Sequence, residues 1–468
     1  MEQAFDLNIG EVLEHWQVAF AIRELIANAL DEHVITGTAE PQIVKDGRGD
    51  WHIRDFGRGI RYEHLTQNEN PEKHQHQDVI GKFGVGLKDA LAVFDRNQII
   101  VNIRSGHGDI TTGMRAKSGF PDVITLHALV TPPADPHLAG TDICLSGVSD
   151  DDVAIAKGFF LRYSGDTPLE QTRLGDVLTR RAGADEARIY VKGLMVATEP
   201  NFLFSYNITR LSAELERALN RERSNVGRGA YSAQVKKILT ACRSSQVAGP
   251  LTDDLGQYTS GTMHDELSWR DVALHACRVL QTNEKVVFIT PWIQHGDNQA
   301  LRHAIDDGYR PVVVPDDIAR SLGSTTDLDG RPMIDLEAYR QEFNDSLVFV
   351  IVDPAELNPV ERAVFDMTSP IVSLAKTNLR GTGIDIVISE TMRLDEGGQP
   401  ILGLWDPQER RVILRRDLLH NLDRYAGILL RELGRALTGT FDETSEFEEE
   451  LTRLLGVVAA AGLTHTRA

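Results

Sequence analysis

Three short motifs in the first 90 residues constrain the fold more than any other feature of this chain. The first lies on a helix predicted over residues 11–36, whose apolar face carries Val18, Ile22, Leu25, Ile26 and Ala29. Glu24, Asn28 and Asp31 follow one another at i, i+4 and i+7, so they share another face of the helix. Asn28 offers an amide oxygen that can ligate magnesium, and Glu24 can orient or deprotonate a water that attacks a phosphate. By itself, the stripe also fits the solvated face of an amphipathic helix.

The second motif directly follows a predicted strand, Trp51–Arg54, and reads Asp55-Phe56-Gly57-Arg58-Gly59-Ile60. An Asp at the end of a strand can accept a hydrogen bond from an exocyclic amine. Two glycines let the backbone pass close to a flat ring. An ordinary Asp-Gly turn is the alternative interpretation.

The third motif leads into a helix predicted from Leu87 to Phe94, and reads Gly81-Lys82-Phe83-Gly84-Val85-Gly86-Leu87-Lys88. Three glycines before a helix leave backbone N–H groups that can face a phosphate, and Lys88 can add positive charge. The motif lacks the Gly-Lys-Ser/Thr ending of a P-loop, so alone it indicates only a Gly-rich turn. The polar residues 61–80 before it are predicted to form a mobile loop.

In order, separation and structural context, these motifs and Gly140-Thr141-Asp142 resemble those of the GHKL ATPase superfamily. The resemblance implies that Glu24 is catalytic, Asn28 binds Mg2+, Asp55 reads adenine and Thr141 helps to hold it. Residues 61–80 would form a lid over ATP. The other nucleotide-binding positions that it implies are Asp31, Gly57, Gly59, Ile60, Gly81, Phe83, Gly84, Val85, Gly86, Leu87 and Lys88.

Because the helix carries Glu24, the resemblance is closer to gyrase B, MutL, MORC proteins and heat-shock chaperones than to histidine kinases. It implies Mg-dependent hydrolysis of ATP to ADP and phosphate, coupled to a conformational switch and an ATP-dependent homodimer. Two alternatives stay open: a nucleic-acid-handling ATPase of the MutL or MORC kind, and an ATP-sensing module that does not hydrolyse.

The pattern of elements predicts an α+β chain in four regions. Residues 1–150 would form a GHKL ATP-binding sandwich, 151–250 a chaperone-like middle domain, 266–356 a small parallel α/β unit and 357–468 a mostly helical domain. Residues 250–265, rich in Gly, Thr and Ser, are expected to be a linker. The strands predicted in the third region are Lys285–Thr290, Arg310–Val314 and Leu347–Val352.

The middle region contains a segment, Leu219–Asn225, that resembles the Arg-bearing segment of a chaperone-type middle domain. The resemblance implies that Arg221 or Arg223 reaches the γ-phosphate and stabilises charge in the transition state. The alternative is a cationic helix end.

The last region contains a segment, residues 429–442, that resembles the active-site helix of a zinc metallopeptidase. Such a helix needs His at i and i+4 with a Glu as base. Here Arg431 and Arg435 take the His positions, and Arg cannot ligate zinc, so only Glu432 remains. A degenerate, partner-recognising domain is expected rather than a peptidase with an unorthodox site. The arginines could form a salt-bridge cluster with Glu432, Glu446 and Glu448, or belong to an ordinary amphipathic helix.

Charge and cysteine content limit the partners and the compartment. A net charge of -20 argues against broad binding to DNA, although Arg210–Lys237 is a candidate basic groove. Three cysteines without a CxxC pair fit a reducing cytoplasm. The N-terminus lacks the features of a signal peptide, and no apolar run is long enough to span a membrane.

Overall fold

The computed structural model describes residues 3–7, 16–66, 79, 86–181, 183, 185–219, 226–295, 298–375, 383–439 and 444–465. The chain divides into two compact units, Met1–Val279 and Leu280–Ala468. Each unit contains both helices and sheets, so the predicted α+β class is confirmed. The four predicted domain boundaries stay predictions.

The first unit begins with a seven-stranded sheet in the order β1-β6-β5-β4-β7-β3-β2, in which every pair of neighbours is antiparallel. Its inward-facing residues alternate with outward ones along each strand, as in β7, where Ile143 and Leu145 are buried. The strands are β1 (Gln3–Asp6), β2 (Gln42–Lys45), β3 (Trp51–Arg54), β4 (Ile100–Ser105), β5 (Gly108–Lys117), β6 (Phe120–Thr131) and β7 (Thr141–Ser146).

A layer of helices covers the apolar face of this sheet. Its members are α1 (Val18–Thr36), the short α2 (Glu63–Thr66), α3 (Gly86–Arg96) and α4 (Asp150–Gly158). Helix α1 packs against both α3 and α4 and buries the predicted apolar residues Ile22, Leu25 and Ile26. The prediction that α1 includes residues 16 and 17 was wrong, because Gln17 is extended and caps the helix. Residues 11–15 lie outside the described residues.

A five-stranded sheet follows within the same unit, in the order β11-β10-β12-β9-β8. Strands β10 and β12 are parallel, and the other neighbours are antiparallel. The bounds are α5 (Leu161–Ser164), β8 (Pro168–Gln171), β9 (Gly175–Leu178), β10 (Ala187–Val191), β11 (Leu194–Glu199), β12 (Ser205–Ile208), α6 (Ala213–Ala218), α7 (Arg228–Leu239) and α8 (Ser245–Leu255). Helix α7 packs on β9 and β12, and α8 packs on β8.

The prediction of a linker at residues 250–265 was wrong. Most of this stretch belongs to α8 and to two 3-10 helices, Gly256–Ser260 and Asp265–Ser268, and α9 (Arg270–Asn283) follows. Leu251 and Leu255 lie one turn apart on α8 and are both buried, so this face packs like any helix of the core.

The second unit begins with two parallel strands, β13 (Val286–Ile289) and β14 (Arg310–Val313), as predicted. The helices around them are α10 (Pro291–His295), α11 (Gln299–Asp306), α12 (Asp316–Leu322) and α13 (Leu336–Ser346). The prediction of a third strand at Leu347–Val352 was wrong. It forms only an isolated bridge between Ile351 and Ser389, and Val348 is 79% exposed.

The chain ends in a three-stranded sheet, β15-β17-β16, with helices packed on it. Its elements are α14 (Pro359–Phe365), α15 (Thr368–Leu374), β15 (Asp385–Ser389), β16 (Gly403–Asp406), β17 (Arg411–Arg415), α16 (Leu422–Thr438) and α17 (Ser445–His465). Helix α16 packs on β16, β17 and α17. Within the described ranges, no helix is long and apolar enough to cross a membrane.

Candidate functional site

The polar stripe of α1 begins beside a buried arginine. Arg23 is 0% exposed, and its guanidinium lies over the rings of Trp16, Phe20 and Phe159, at 5.6, 5.1 and 5.5 Å from their centroids. Its Nε and Nη2 donate to Oε1 of Glu24 at 3.2 and 2.7 Å. The aromatic rings therefore fix the guanidinium, and the guanidinium fixes one oxygen of the Glu24 carboxylate.

The second oxygen of Glu24 lies against the first residue of α3. A Cβ added to Gly86 would stand 2.4 Å from Oε2 of Glu24, so glycine at this position leaves room for the carboxylate. The first turn of a helix has N–H groups without intrahelical partners, and these groups favour anions. Asn28 is half-buried one turn further along α1. A carboxylate oxygen of α1 therefore lies beside the N-terminus of α3.

Lys88, in the first turn of α3, is only 8% exposed. Burial lowers the pKa of its ammonium group, and the charge of Asp89 acts in the opposite direction. Leu87, next to it, packs against the core of the seven-stranded sheet. The predicted contact of Lys88 with a phosphate stays a prediction.

Asp55 leaves β3 in a turn that its own carboxylate closes. Its Oδ1 accepts hydrogen bonds from the backbone N–H of Gly57 at 2.9 Å and of Thr141 at 3.3 Å. Burial raises the pKa of Asp55, the charge of Glu32 adds to the rise, and the bonds from Gly57 and Thr141 oppose it. The result is a buried carboxylate in a fixed orientation.

The Gly-Thr pair at the start of β7 is in direct contact with the Asp55 turn. The hydroxyl of Thr141 accepts from the backbone N–H of Ile60 at 3.1 Å. Gly140 has a left-handed φ of 79°, and a Cβ added there would stand 2.1 Å from the carbonyl oxygen of Asp55. Gly59 (φ 79°) would bring a Cβ to 3.0 Å from the carbonyl oxygen of Gly140. Asp55, Gly59, Ile60 and Thr141 therefore form one cluster, and their predicted contact with a nucleotide stays a prediction.

Sequence reasoning missed one residue that joins α1 to this cluster, Glu32. Its Oε1 accepts from the backbone N–H and the Nε of Arg58 at 2.9 Å each, and its Oε2 accepts from Nη2 at 3.0 Å. Gly57 makes room for it, because an added Cβ would stand 2.3 Å from Cγ of Glu32. The available signal was spacing: Glu32 continues the stripe of Glu24 and Asn28 by one more turn.

Other predicted positions lie elsewhere or outside the described residues. Asp31 is buried and lines a cavity together with residues near α5 and the turn between β10 and β11, and Glu24 does not line this cavity. Only 61–66 and 79 of the predicted lid are described. The predicted residues outside the described ranges are Gly81, Phe83, Gly84, Val85, Arg221 and Arg223.

The candidate basic groove contains cations that are already paired. Arg228 donates to both carboxylate oxygens of Glu199 and, at 2.7 Å, to Asp265. Lys236 lies 2.7 Å from the carboxylate of Asp271. These pairs reduce the positive charge that the segment can offer to a phosphate backbone.

Among the described residues, the predicted cluster on α16 includes an ion pair between Arg435 and Glu432. Arg435 donates through Nη1 to both oxygens of the buried Glu432, at 3.1 and 2.9 Å. Arg431, Glu446 and Glu448 are exposed. In the part of the chain that the structure describes, no group of three His, Cys, Asp or Glu residues could hold a metal ion.

Comparison with known proteins leads to Mycoplasma pneumoniae. Residues 151–245 match the family described as "Mycoplasma pneumoniae MPN635 N-terminal domain". One protein of that organism, named "Uncharacterized protein", is 39% identical over 238 residues, which are 50% of this chain and 95% of the relative. A second protein with the same name is 31% identical over 163 residues, which are 34% of this chain and 44% of that relative.

These matches overturn the resemblances stated from the sequence. The assignment to the GHKL superfamily was wrong, as was the likeness of the last region to a zinc metallopeptidase, because the similarity found leads to the Mycoplasma proteins. The chaperone-like identification of the middle region, which contains the match at 151–245, stays a prediction. Since the chain is 39% identical to a relative that it covers almost completely, it belongs to the Mycoplasma MPN633/MPN635 protein family.

Proposed function

We propose that the first unit binds ATP with Mg2+ and hydrolyses it to ADP and phosphate, which switches the conformation of the protein. The observation that carries this proposal is the placement of Glu24. Its carboxylate is held between the buried guanidinium of Arg23 and the first residue of α3, one turn from Asn28. A fixed carboxylate next to an anion-favouring helix end suits the orientation of a water for attack on a phosphate.

The Asp55 cluster would supply recognition of the base. A buried carboxylate is an acceptor only, and it selects a ligand that presents an N–H donor, such as the exocyclic amine of adenine. Gly140 brings its backbone against that of Asp55, Gly59 lies against Gly140, and Gly57 leaves room for the side chain of Glu32. Ile60 and Thr141 are tied together at 3.1 Å, which fixes the shape of this part of the site.

The residues present fit a magnesium ion that is carried by the phosphates. Asn28 offers an amide oxygen, and Mg2+ typically takes one or two protein oxygens while phosphates and water supply the rest. The ion would neutralise negative charge on the phosphates. Glu24 would orient the attacking water and receive its proton, while the N–H groups of α3 would hold phosphate oxygens.

The experiment is ATP turnover and sedimentation, each with ATP and Mg2+, on the wild type and on Glu24→Gln. Glu216→Gln, an exposed glutamate on α6, is the matched control. We expect Glu24→Gln to bind ATP, to turn over ~10²–10⁴ times more slowly than wild type, and to accumulate as a dimer. The control should behave as wild type.

Two outcomes would contradict parts of the proposal. Equal turnover by Glu24→Gln and wild type would remove Glu24 from the reaction. A wild type that binds ATP, does not hydrolyse it and stays monomeric would make the protein an ATP-sensing module.

A further inference from the structure

A cavity of about 170 Å³ lies between the later part of α1 and the second sheet of the same unit. Its apolar wall includes Leu30 and Val34 of α1 and Phe160, which precedes α5. Polar side chains from both elements complete it, so a ligand there would contact two parts of the unit at once. Such a mixture of apolar walls and a few polar groups is typical of small-molecule sites.

The charged groups of the cavity favour a negative ligand. Arg162 and Lys192 each contribute a positive charge, and Asp31 contributes a negative one. The lining therefore includes two cationic side chains and one carboxylate. Arg162 donates through Nη2 to Glu40 at 2.6 Å, but Glu40 is 68% exposed. An ion pair that open to water is weak, so a ligand can compete for the guanidinium.

The backbone at Lys192 is unfavourable for a lysine. Lys192 and Gly193 form the two-residue turn between β10 and β11, with φ of 51° and 80°. Turns with both φ values positive favour Asn-Gly, because other L-residues are strained in the left-handed region. Lys192 therefore lines the cavity from a strained backbone position.

The turn that carries Lys192 is held firmly in place. The backbone N–H of Lys192 donates to the carbonyl of Ile208 at 3.0 Å. On the next residue, the N–H of Gly193 donates to Oδ1 of Asn207 at 2.9 Å, and its carbonyl accepts from Leu161 at 2.8 Å. The wall of the cavity is therefore formed before any ligand binds.

We propose that this cavity binds a small organic anion. Its carboxylate or phosphate group would lie between Lys192 and Arg162, and its apolar body would lie against Leu30, Val34 and Phe160. The volume corresponds to about five or six water molecules at ~30 Å³ each, which suits a single ring or a short branched chain. This site is independent of the proposed ATP site, since neither Glu24 nor Asp55 lines it.

The test is titration of the full chain with benzoate, phenyl phosphate and neutral benzyl alcohol, followed by ligand-observed NMR. Lys192→Asn removes the charge and keeps a residue that suits the left-handed turn. Lys237→Asn, an exposed lysine on α7, is the matched control. Arg162→Gln is a second variant that leaves the turn unchanged. Melting temperatures report whether each variant is folded.

We expect the anionic probes to bind wild type and Lys237→Asn alike, and at least about tenfold more weakly to Lys192→Asn and Arg162→Gln. Benzyl alcohol should bind more weakly than either anion. The tighter of the two anions identifies the charged group that the cavity prefers. The proposal is overturned if no probe binds, if benzyl alcohol binds as tightly as the anions, or if folded Lys192→Asn binds like wild type.

Discussion

Asp55 is a buried carboxylate whose proposed role requires negative charge. Its surroundings act in both directions: burial raises its pKa, and backbone N–H groups of Gly57 and Thr141 favour the ionised form. The net pKa lies above the ordinary value of 3.8. Protonation therefore begins at a higher pH than for an exposed aspartate, and it removes the acceptor that would bind the adenine amine.

We predict that the affinity for ATP falls as the pH is lowered through the raised pKa of Asp55. Asp55→Asn is neutral at every pH and should bind ATP weakly with no such step. Binding of ATP to both proteins is measured from neutral to mildly acid pH, and the ratio of the two affinities is compared between pH values. Protonation of ATP affects both affinities equally, so it does not change this ratio. A ratio that stays constant with pH would exclude Asp55 as the ionised acceptor.

Gly86 provides a direct test of the position of Glu24. In Gly86→Ala the new Cβ would meet Oε2 of Glu24 and displace it. We predict a loss of turnover of about tenfold or more, equivalent to roughly 1.4 kcal/mol of barrier. The melting temperature should also fall, because displacing the carboxylate weakens its bonds to the buried guanidinium of Arg23, and it reports whether the variant is still folded in the assay. Gly229→Ala, in the first turn of α7 with nothing within 4 Å, is the control.

At the residue scale, local patterns predicted the structural context of some residues of the proposed site. Glu24, Asp55 and Thr141 lie in the contexts that their motifs indicate. Helical spacing alone did not decide between Asp31 and Glu32, because both continue the stripe of α1 closely enough. The difference arises from the neighbouring loop, which places Arg58 within reach of Glu32, and no local pattern encodes that contact.

At the scale of elements, two backbone segments of the proposed site lie in close contact: the connection from β6 to β7 and the turn at Asp55. Gly140 and Gly147 both have left-handed φ values, of 79° and 96°, but only Gly140 lies against another backbone segment. Alanine at Gly147 meets nothing within 4 Å. The two positions therefore separate backbone strain from the cost of the contact.

We predict that Gly147→Ala lowers the free energy of unfolding by about 1–2 kcal/mol, the cost of a left-handed alanine. Gly140→Ala should lose a further ~1–3 kcal/mol, because its Cβ would overlap the backbone of Asp55. Chemical denaturation of the two variants measures the difference. Equal losses would mean that the β6–β7 connection does not press on the Asp55 turn.

Elements were predictable where apolar periodicity and turn residues agreed. The strands Trp51–Arg54 and Arg310–Val313 and the helix Gly86–Arg96 follow such patterns. Leu347–Val352 failed because a short apolar run predicts burial, whereas this segment lies at a sheet edge with Val348 exposed. The 250–265 stretch failed because its polar composition concealed two leucines at helical spacing.

At the scale of the whole molecule, the family to which the chain belongs and the reaction proposed for its first unit depend on different observations. A polar helical stripe, an Asp-Gly turn and a Gly-rich turn arise wherever a backbone must come close to a ligand or turn tightly. Their combination predicted a local arrangement around Glu24 and Asp55, but it assigned the wrong family. The family match at 151–245 lies outside the segment that carries these two residues. The proposed ATP site therefore depends on geometry, not on the relatives.

Our central proposal is that the first unit contains a site that binds a magnesium-bound nucleoside triphosphate and is specific for adenine. Calorimetric titration of the full chain with ATP, and separately with GTP, in the presence of Mg2+ tests it most directly. We expect one ATP to bind per chain and GTP to bind at least about tenfold more weakly, because guanine presents a carbonyl where adenine presents its amine. No binding of ATP, or equal binding of ATP and GTP, would contradict the account.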